Sequence, residues 1–574
     1  MAAHLVLRMR RYLRENRMLI LASLLVGALF CYPYLMRNFL GVEQDTFFHL
    51  SRIEGLARSF AHGDLLPQIY PYKNNGYGYA SPSFYCDLLL TIPALMYLAG
   101  MSLAFCYKFT VLAITFLTCF ACARMIKRIT GSDATAVIVS IAYVFCNYRI
   151  SDVYVRGALG EVMAMIFLPV LLSGLYEILE AQRPERWPLL CLGLTGLVLS
   201  HNLTFLMGAV LMILFCLHDW SRIDSRQWRS LIRASVIAFL LTAWFTLPML
   251  EQLSSQEFYV GYYASSSDLA ANAMPLRQYL QNFINFGQGG YALPAGQVMT
   301  LNPGIFLSIM PLLYLILPRQ VRAAHRFAGF SLILGLCFLI LPSDLFPWDS
   351  MAFLRVLQFP WRLLTLATIL LCIPAAVVLQ ELPLLQKKAI RITLAALLLI
   401  EGTVHLIPAA QRTFGLTDST TWQDVLDGDL IDPYYSSFYV RVELAGADYL
   451  PVGSPYFNQR STGLKTAAGT DLSEPIEKDG TTSSFSITEE DAGQEIILPI
   501  TWYKGYQVYQ IVNGKRVRMD TAPSGERMVS FFASQAGDYV CVYEPSILRI
   551  ISIAISACTL AALAILKRRK ENQQ

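Results

Sequence analysis

Apolar positions along this chain come in repeated runs of about twenty residues with few charges, the length at which a helix crosses the hydrocarbon of a bilayer. The runs predict spans near 18–36, 103–123, 134–147, 162–180, 188–200, 203–219, 231–250, 303–317, 327–341, 361–380, 390–407 and 547–566. The first run follows "RMRRYLRENR" and resembles a signal sequence, but its apolar core is too long and no small-residue cleavage site follows. It is expected to stay as a first helix. Between 408 and 546 the period changes, and strand-like alternation such as "YQVYQIV" and "KRVRM" is joined by Asn513-Gly514, a dipeptide favoured in type I′ hairpin turns. A second hairpin is expected to pair "RMVSFFAS" with "DYVCVYE" across Gln535 to Gly537.

Composition agrees with the pattern. The 574 residues are 55% hydrophobic and only 15% charged, with a mean hydropathy of +0.46, too apolar for a water-soluble protein of this length. A net charge of +4 carries no nucleic-acid footprint. The twelve cysteines lie mostly in apolar stretches and read as packing residues, with neither a disulfide framework nor a zinc module indicated.

Charge then orients the chain. Basic pieces at 124–128 ("RMIKR"), 181–186 ("AQRPER"), 221–229, 318–326, 386–391 and 567–570 ("KRRK") separate the apolar runs, and cytoplasmic loops carry the excess of Lys and Arg. All of them fall on the side of the N-terminus if 103–123 spans and 84–100, short and carrying Pro93, lies along the outer surface. The fold class expected is therefore a polytopic α-helical membrane protein of about twelve transmembrane helices with a β-rich extracytoplasmic domain before the last helix. Its organisation is a transmembrane domain 1–407 with a large first outer loop 37–102, a β-rich domain 408–546, and a last helix with a basic cytoplasmic tail, 547–574.

Ionisable residues in the outer loops are the candidates for chemistry. In "GVEQDTFFHLSRIEG", Asp45, His49 and Arg52 recur at four and three residues, which places them on one helical face. An aspartate there can serve as general base while His and Arg bind phosphate or hold the carboxylate; an amphipathic interfacial helix with solvated charges gives the same spacing. The loop 67–85, rich in Tyr, Pro and Gly, offers Tyr77 and Tyr79 for stacking on a sugar or as an aromatic belt. Arg156 and Glu161 flank Gly157 and Gly160 where an apolar helix begins, a position that also suits a glutamate complementing the helix dipole. His201 and Asn202 sit in a tight turn, and "FPWR" brings Arg362 to a helix mouth, where it either grips phosphate or snorkels. In the β-rich region Trp502, Tyr503 and Tyr506 look exposed and suited to a carbohydrate acceptor, or else form the core of a small sandwich. Glu401 and His405 read as structural.

On the motifs "QDTFFHLSRI", "GYGYASPSFY", "YVRGALGE", "SHN" and "FPWR", the chain resembles the GT-C class of membrane glycosyltransferases, and within it the bacterial membrane proteins labelled "6-pyruvoyl-tetrahydropterin synthase related". The resemblance implies transfer of a sugar from a polyprenyl-phosphate donor to a cell-envelope glycopolymer or glycolipid on the outer face of the plasma membrane, with Asp45 as base and Glu161 as a second acidic residue. It requires no cofactor and leaves a divalent metal open. A lipid-linked sugar transporter or flippase, and a non-catalytic envelope assembly protein, are the alternatives. Against transport stand the lack of an inverted repeat and of charged, Gly/Pro-broken helix pairs.

Overall fold

The computed structural model describes residues 2–276, 279, 291–292, 298–299, 301–411, 415–420, 424, 447–454 and 463–572. Parts of the expected outer loop 251–302 and of the 408–546 region therefore lie outside the described residues. The chain divides into two compact units, one of 1–46, 104–238 and 267–420, the other of 47–103, 239–266 and 421–574.

Each predicted apolar run falls on a helix, but the helices differ in length. Six are long and apolar enough to cross a bilayer: Leu103–Thr130, Leu159–Leu179, Ser225–Leu253, Pro360–Glu381, Lys388–Ala410 and Ile547–Arg569. A bent pair, Asp133–Val144 with Asn147–Arg156, makes a seventh if taken as one span. Arg17–Phe30, Asn202–His218, Gly304–Ile316 and Arg326–Ile340 are shorter, as is Trp187–Val198 at 12 residues. At 1.5 Å per residue a helix of that length covers well under the ~30 Å hydrocarbon core. Length and composition thus account for six or seven spans among the described residues, and the expected count of twelve is not reached on this ground. The segment expected to lie along the surface contains the short apolar helix Leu88–Leu98.

In the first unit, Pro360–Glu381 is the central helix, 94% of its apolar window being buried. Helices Leu159–Leu179 and Trp187–Val198 approach so closely that a Cβ on Gly174 would lie 2.4 Å from the Leu190 nitrogen, and one on Gly193 2.6 Å from Leu171 Cα. Only glycine permits that separation, as in other small-residue helix interfaces.

The second unit contains two five-stranded antiparallel sheets. One runs in the order Lys515–Arg518, Tyr506–Val512, Gly537–Tyr543, Thr482–Ile487, Glu477–Asp479. The other runs Thr521–Pro523, Met528–Ala533, Gln494–Thr501, Gly463–Thr466, Asp471–Pro475. Inward residues of both sheets, including Phe485, Leu498, Val508, Phe531 and Tyr539, share one core, which makes a sandwich. The Asn513-Gly514 hairpin forms as the sequence predicts, with both residues at positive φ (51° and 73°). The second expected hairpin does not form: Met528–Ala533 pairs with Gln494–Thr501 while Gly537–Tyr543 pairs with Tyr506–Val512 and Thr482–Ile487. The short link between them crosses from sheet to sheet, because both strands present apolar side chains to the shared core.

Candidate functional site

The first unit gathers its charges where a helix breaks. Helix Asp133–Val144 starts under a Ser132 cap, whose hydroxyl accepts from the Thr135 N–H at 3.3 Å. The chain then bends by 46° into Asn147–Arg156. Asn302 fixes the break, its side-chain oxygen accepting from Asn147 at 2.9 Å and its carbonyl from the Tyr148 N–H at 3.0 Å. Asp152–Arg156 is a single π-helical turn ending at Gly157 in the left-handed conformation, φ 62°. Such turns are frequent at functional sites, and within this one Asp152 and Arg156, four residues apart, form an ion pair.

Glu161, in the first turn of Leu159–Leu179, is the hub. One carboxylate oxygen accepts from Tyr148 and Thr365 hydroxyls, each at 2.6 Å. The other accepts from Arg156 Nη1 at 2.8 Å and faces Arg362 Nε at 3.6 Å. Arg156 also lies 4.6 Å over the Trp361 ring. Arg362 donates from Nη1 to Gln358 Oε1 (2.6 Å) and the Leu357 carbonyl (2.9 Å), and its buried Nε has no hydrogen bond among the described residues. His201 adds to the field on Glu161 and caps its own helix, its Nδ1 2.8 Å from Thr204 Oγ1; Asn202 beside it is exposed.

Asp45 joins this cluster through the backbone. Its N–H donates to the Arg156 carbonyl at 2.7 Å, and Gln44 donates to Val155 at 3.2 Å. The half-buried Asp45 carboxylate makes no hydrogen bond or ion pair among the described residues, although Arg156, Arg362 and Glu161 all act on it. Desolvation raises its pKa above the usual aspartate range, the two arginines opposing the rise and Glu161 adding to it.

The expected common face of Asp45, His49 and Arg52 does not form, because the helix begins at Thr46 and Asp45 precedes it in a turn. His49 and Arg52 belong to the second unit and contact each other, Nδ1 to Nη1 at 3.1 Å. Arg52, 1% exposed, pairs with Asp87 at 2.5 Å, donates to the Cys86 carbonyl and covers the Tyr85 ring at 4.1 Å. Its guanidinium is committed to the interior. Tyr77 and Tyr79 are also buried, Tyr79 accepting from the Tyr449 N–H at 3.3 Å. The aromatics that looked exposed are packed: Tyr503 and Tyr506 are buried in the sandwich core, and Trp502 is half-buried against it. Tyr503 thus presents no ring face to a ligand.

Asp152, Tyr148 and Thr365 are the site residues that sequence reasoning passed over. Asp152 carried one signal, an acidic group four residues before an arginine inside an otherwise apolar helical run. No three His, Cys, Asp or Glu side chains gather in a metal-binding arrangement among the described residues.

No family model matches the chain. An uncharacterized protein of Lactococcus lactis subsp. cremoris (strain MG1363) is 22% identical over 341 residues, 57% of this chain and 53% of that protein. The cryo-EM structure of arabinofuranosyltransferase AftD from Mycobacteria superposes with a TM-score of 0.44 at 14% identity, over 75% of this chain and 29% of that one. The chain therefore spans about half the length of the first relative and under a third of the second.

Proposed function

We propose that this chain is a membrane glycosyltransferase of the GT-C kind, transferring a sugar from a polyprenyl-phosphate donor to a cell-envelope acceptor on the extracytoplasmic face. The observation that carries the reading is the contrast between carboxylates in one cluster. Asp152 and Glu161 are bound by Arg156, and Glu161 also by two hydroxyls, whereas Asp45 is half-open and unpaired among the described residues. A general base must have its lone pairs free and its proton affinity raised, and among these three Asp45 meets both needs.

In this mechanism Asp45 takes the proton of an acceptor hydroxyl. That oxygen bonds to the anomeric carbon, the bond from the anomeric carbon to the phosphate oxygen breaks, and polyprenyl phosphate leaves with inversion. The leaving phosphate already bears its charge well and needs it matched rather than created. Arg362 suits that task because its Nε, 3.6 Å from the Glu161 carboxylate, has no hydrogen bond among the described residues, and Arg156, on the same carboxylate oxygen, supports it. Glu161 holds the arginines in place and is a positioning residue in this scheme. Arg52, paired with Asp87, has no part in it.

The test is incubation of the purified protein with a panel of polyprenyl-phosphate sugars, scoring release of the lipid phosphate in the presence of envelope glycans. Release that depends on the donor sugar supports the reading. No release with any donor, alongside movement of lipid-linked sugar across a vesicle membrane, replaces it with the transporter.

A further inference from the structure

The second unit holds a cleft of about 450 Å³ that the proposed chemistry does not use. It lies between the C-terminal half of helix Thr46–Ala61, the loop 69–73, and the turn joining Glu477–Asp479 to Thr482–Ile487. Its volume falls in the ~300–1,000 Å³ range of ligand pockets.

The walls are tied to one another. The Gly480 N–H donates to the Tyr72 hydroxyl at 2.7 Å, and that hydroxyl lies 3.3 Å from His62 Nε2. His62 Nδ1 is 2.8 Å from the Arg58 carbonyl, and the Arg58 guanidinium covers the Tyr72 ring at 3.8 Å. Opposite Tyr70, Gly55 has no room for a side chain, since a Cβ there would meet the ring at 2.9 Å. The cleft is therefore held open before any ligand arrives, which lowers the ordering cost of binding.

Its charges are mixed and nearly balanced. Lys73 and Glu54 form an ion pair with side chains only 3% and 9% exposed, and the lining adds Arg58 against Asp64 and Asp479, a formal excess of a single negative charge. An anion or a cation entering would meet its own sign as well as the opposite one. What remains on offer is a dense set of polar groups, from Arg58, Asp64, Asp479, Thr481 and Thr482, with His62 Nε2, whose 3.3 Å contact to the Tyr72 hydroxyl a ligand can replace, beside tyrosine rings. A ligand rich in hydroxyls, uncharged, with an apolar ring face satisfies all of these at once.

We infer that this cleft is a subsite for a neutral saccharide, the acceptor glycan of the transferase. Only the word acceptor rests on the transferase reading; saccharide binding follows from the cleft itself. The inference also relocates the acceptor contact expected at Trp502 and Tyr503, which the sandwich core absorbs.

The test uses the full-length protein in nanodiscs and saturation-transfer NMR. The neutral probes are maltotriose, cellotriose, chitotriose and mannotriose, with inorganic phosphate as the charged probe. Two variants, each checked for unchanged thermal unfolding, report on the cleft: Thr481→Trp fills it, and His62→Ala removes one exposed polar contact. The expected result is transfer to at least one trisaccharide, abolished in Thr481→Trp and weakened about twofold to tenfold in His62→Ala, the worth of one hydrogen bond. No transfer to any trisaccharide, binding undiminished in both variants, or binding of phosphate alone overturns the inference. Donor turnover measured in parallel separates the two readings. Turnover without saccharide binding sinks the subsite and leaves the transferase, while saccharide binding without turnover does the reverse.

Discussion

The main-chain N–H of Asp45 donates to the carbonyl oxygen of Arg156 at 2.7 Å, so the Asp45 carboxylate and the arginine that pairs with Asp152 and Glu161 are held as one piece. The contact requires the chain to turn sharply after Arg156. Gly157 supplies the turn at φ 62°, and a Cβ there would sit 2.9 Å from Glu43 Cβ and 3.0 Å from Thr46 Oγ1. The loop carrying the proposed base is thus seated on a glycine.

Gly157→Val should separate the two. A β-branched residue in the left-handed region costs about 1–3 kcal/mol, and the clash falls on the turn that places Asp45. Transfer is expected to fall by more than tenfold, with a Tm loss of several degrees. Gly157→Ala should show a smaller version of both effects. Normal turnover in the valine variant means that Asp45 need not be held against Arg156.

Glu161→Gln should be costlier to the fold than any change at Asp45. The amide keeps the shape but leaves Arg156 and Arg362 facing a neutral group in a buried site, and breaking a buried pair costs about 3–5 kcal/mol. Thermal unfolding and expression level measure it. A variant as stable as the parent shows that the arginines find other partners.

The pH dependence follows from Asp45. Its pKa is raised on folding, so the stability tied to its protonation is present at low pH and lost as pH rises through the raised value. At neutral pH Asp45→Asn should therefore equal or exceed the parent in Tm. Transfer runs the other way, since the base must be ionised: the acidic limb of the rate profile should lie above the ordinary aspartate range and plateau toward neutrality. A limb at or below pH 4 contradicts the proposed environment of Asp45.

Tyr503→Ala should destabilise the second unit by about 3–5 kcal/mol, the cost of emptying a large aromatic site in a core. Tyr503 is fully buried, its ring stacks with Phe258 at 6.3 Å, and its hydroxyl donates to the Tyr449 carbonyl at 3.1 Å. Trp502→Ala should cost less, the indole being half-buried with its N–H unpartnered among the described residues. Equal losses in the two variants, followed by thermal unfolding, argue against this description of the core.

What was legible in the sequence is what is local. Apolar runs name helices because burial in lipid or in a helical core demands the same residues at every position, and Asn513-Gly514 names a hairpin because few dipeptides take two positive φ values. Asp45, Arg156, Glu161 and Arg362 could be singled out as charges at the ends of apolar runs. Asp152 carried only its spacing to Arg156, and Tyr148 and Thr365 carried none, since Tyr148 owes its place to a 46° break that no periodicity announces and Thr365 reaches Glu161 from a distant helix. The pairing of Met528–Ala533 with Gln494–Thr501 rather than with its neighbour is likewise non-local. Alternation marks a strand and is silent on which sheet the strand joins.

Whether Asp45 is the base of the proposed sugar transfer is decided by the rate of polyprenyl-phosphate release by Asp45→Asn beside the parent protein, with the same donor and acceptor. The amide preserves size and the backbone contact to Arg156 but cannot take the hydroxyl proton. Asp45→Asn should lose about 100-fold to 10,000-fold in rate with thermal stability retained. Turnover within a few-fold of the parent contradicts that expectation and removes Asp45 from the chemistry.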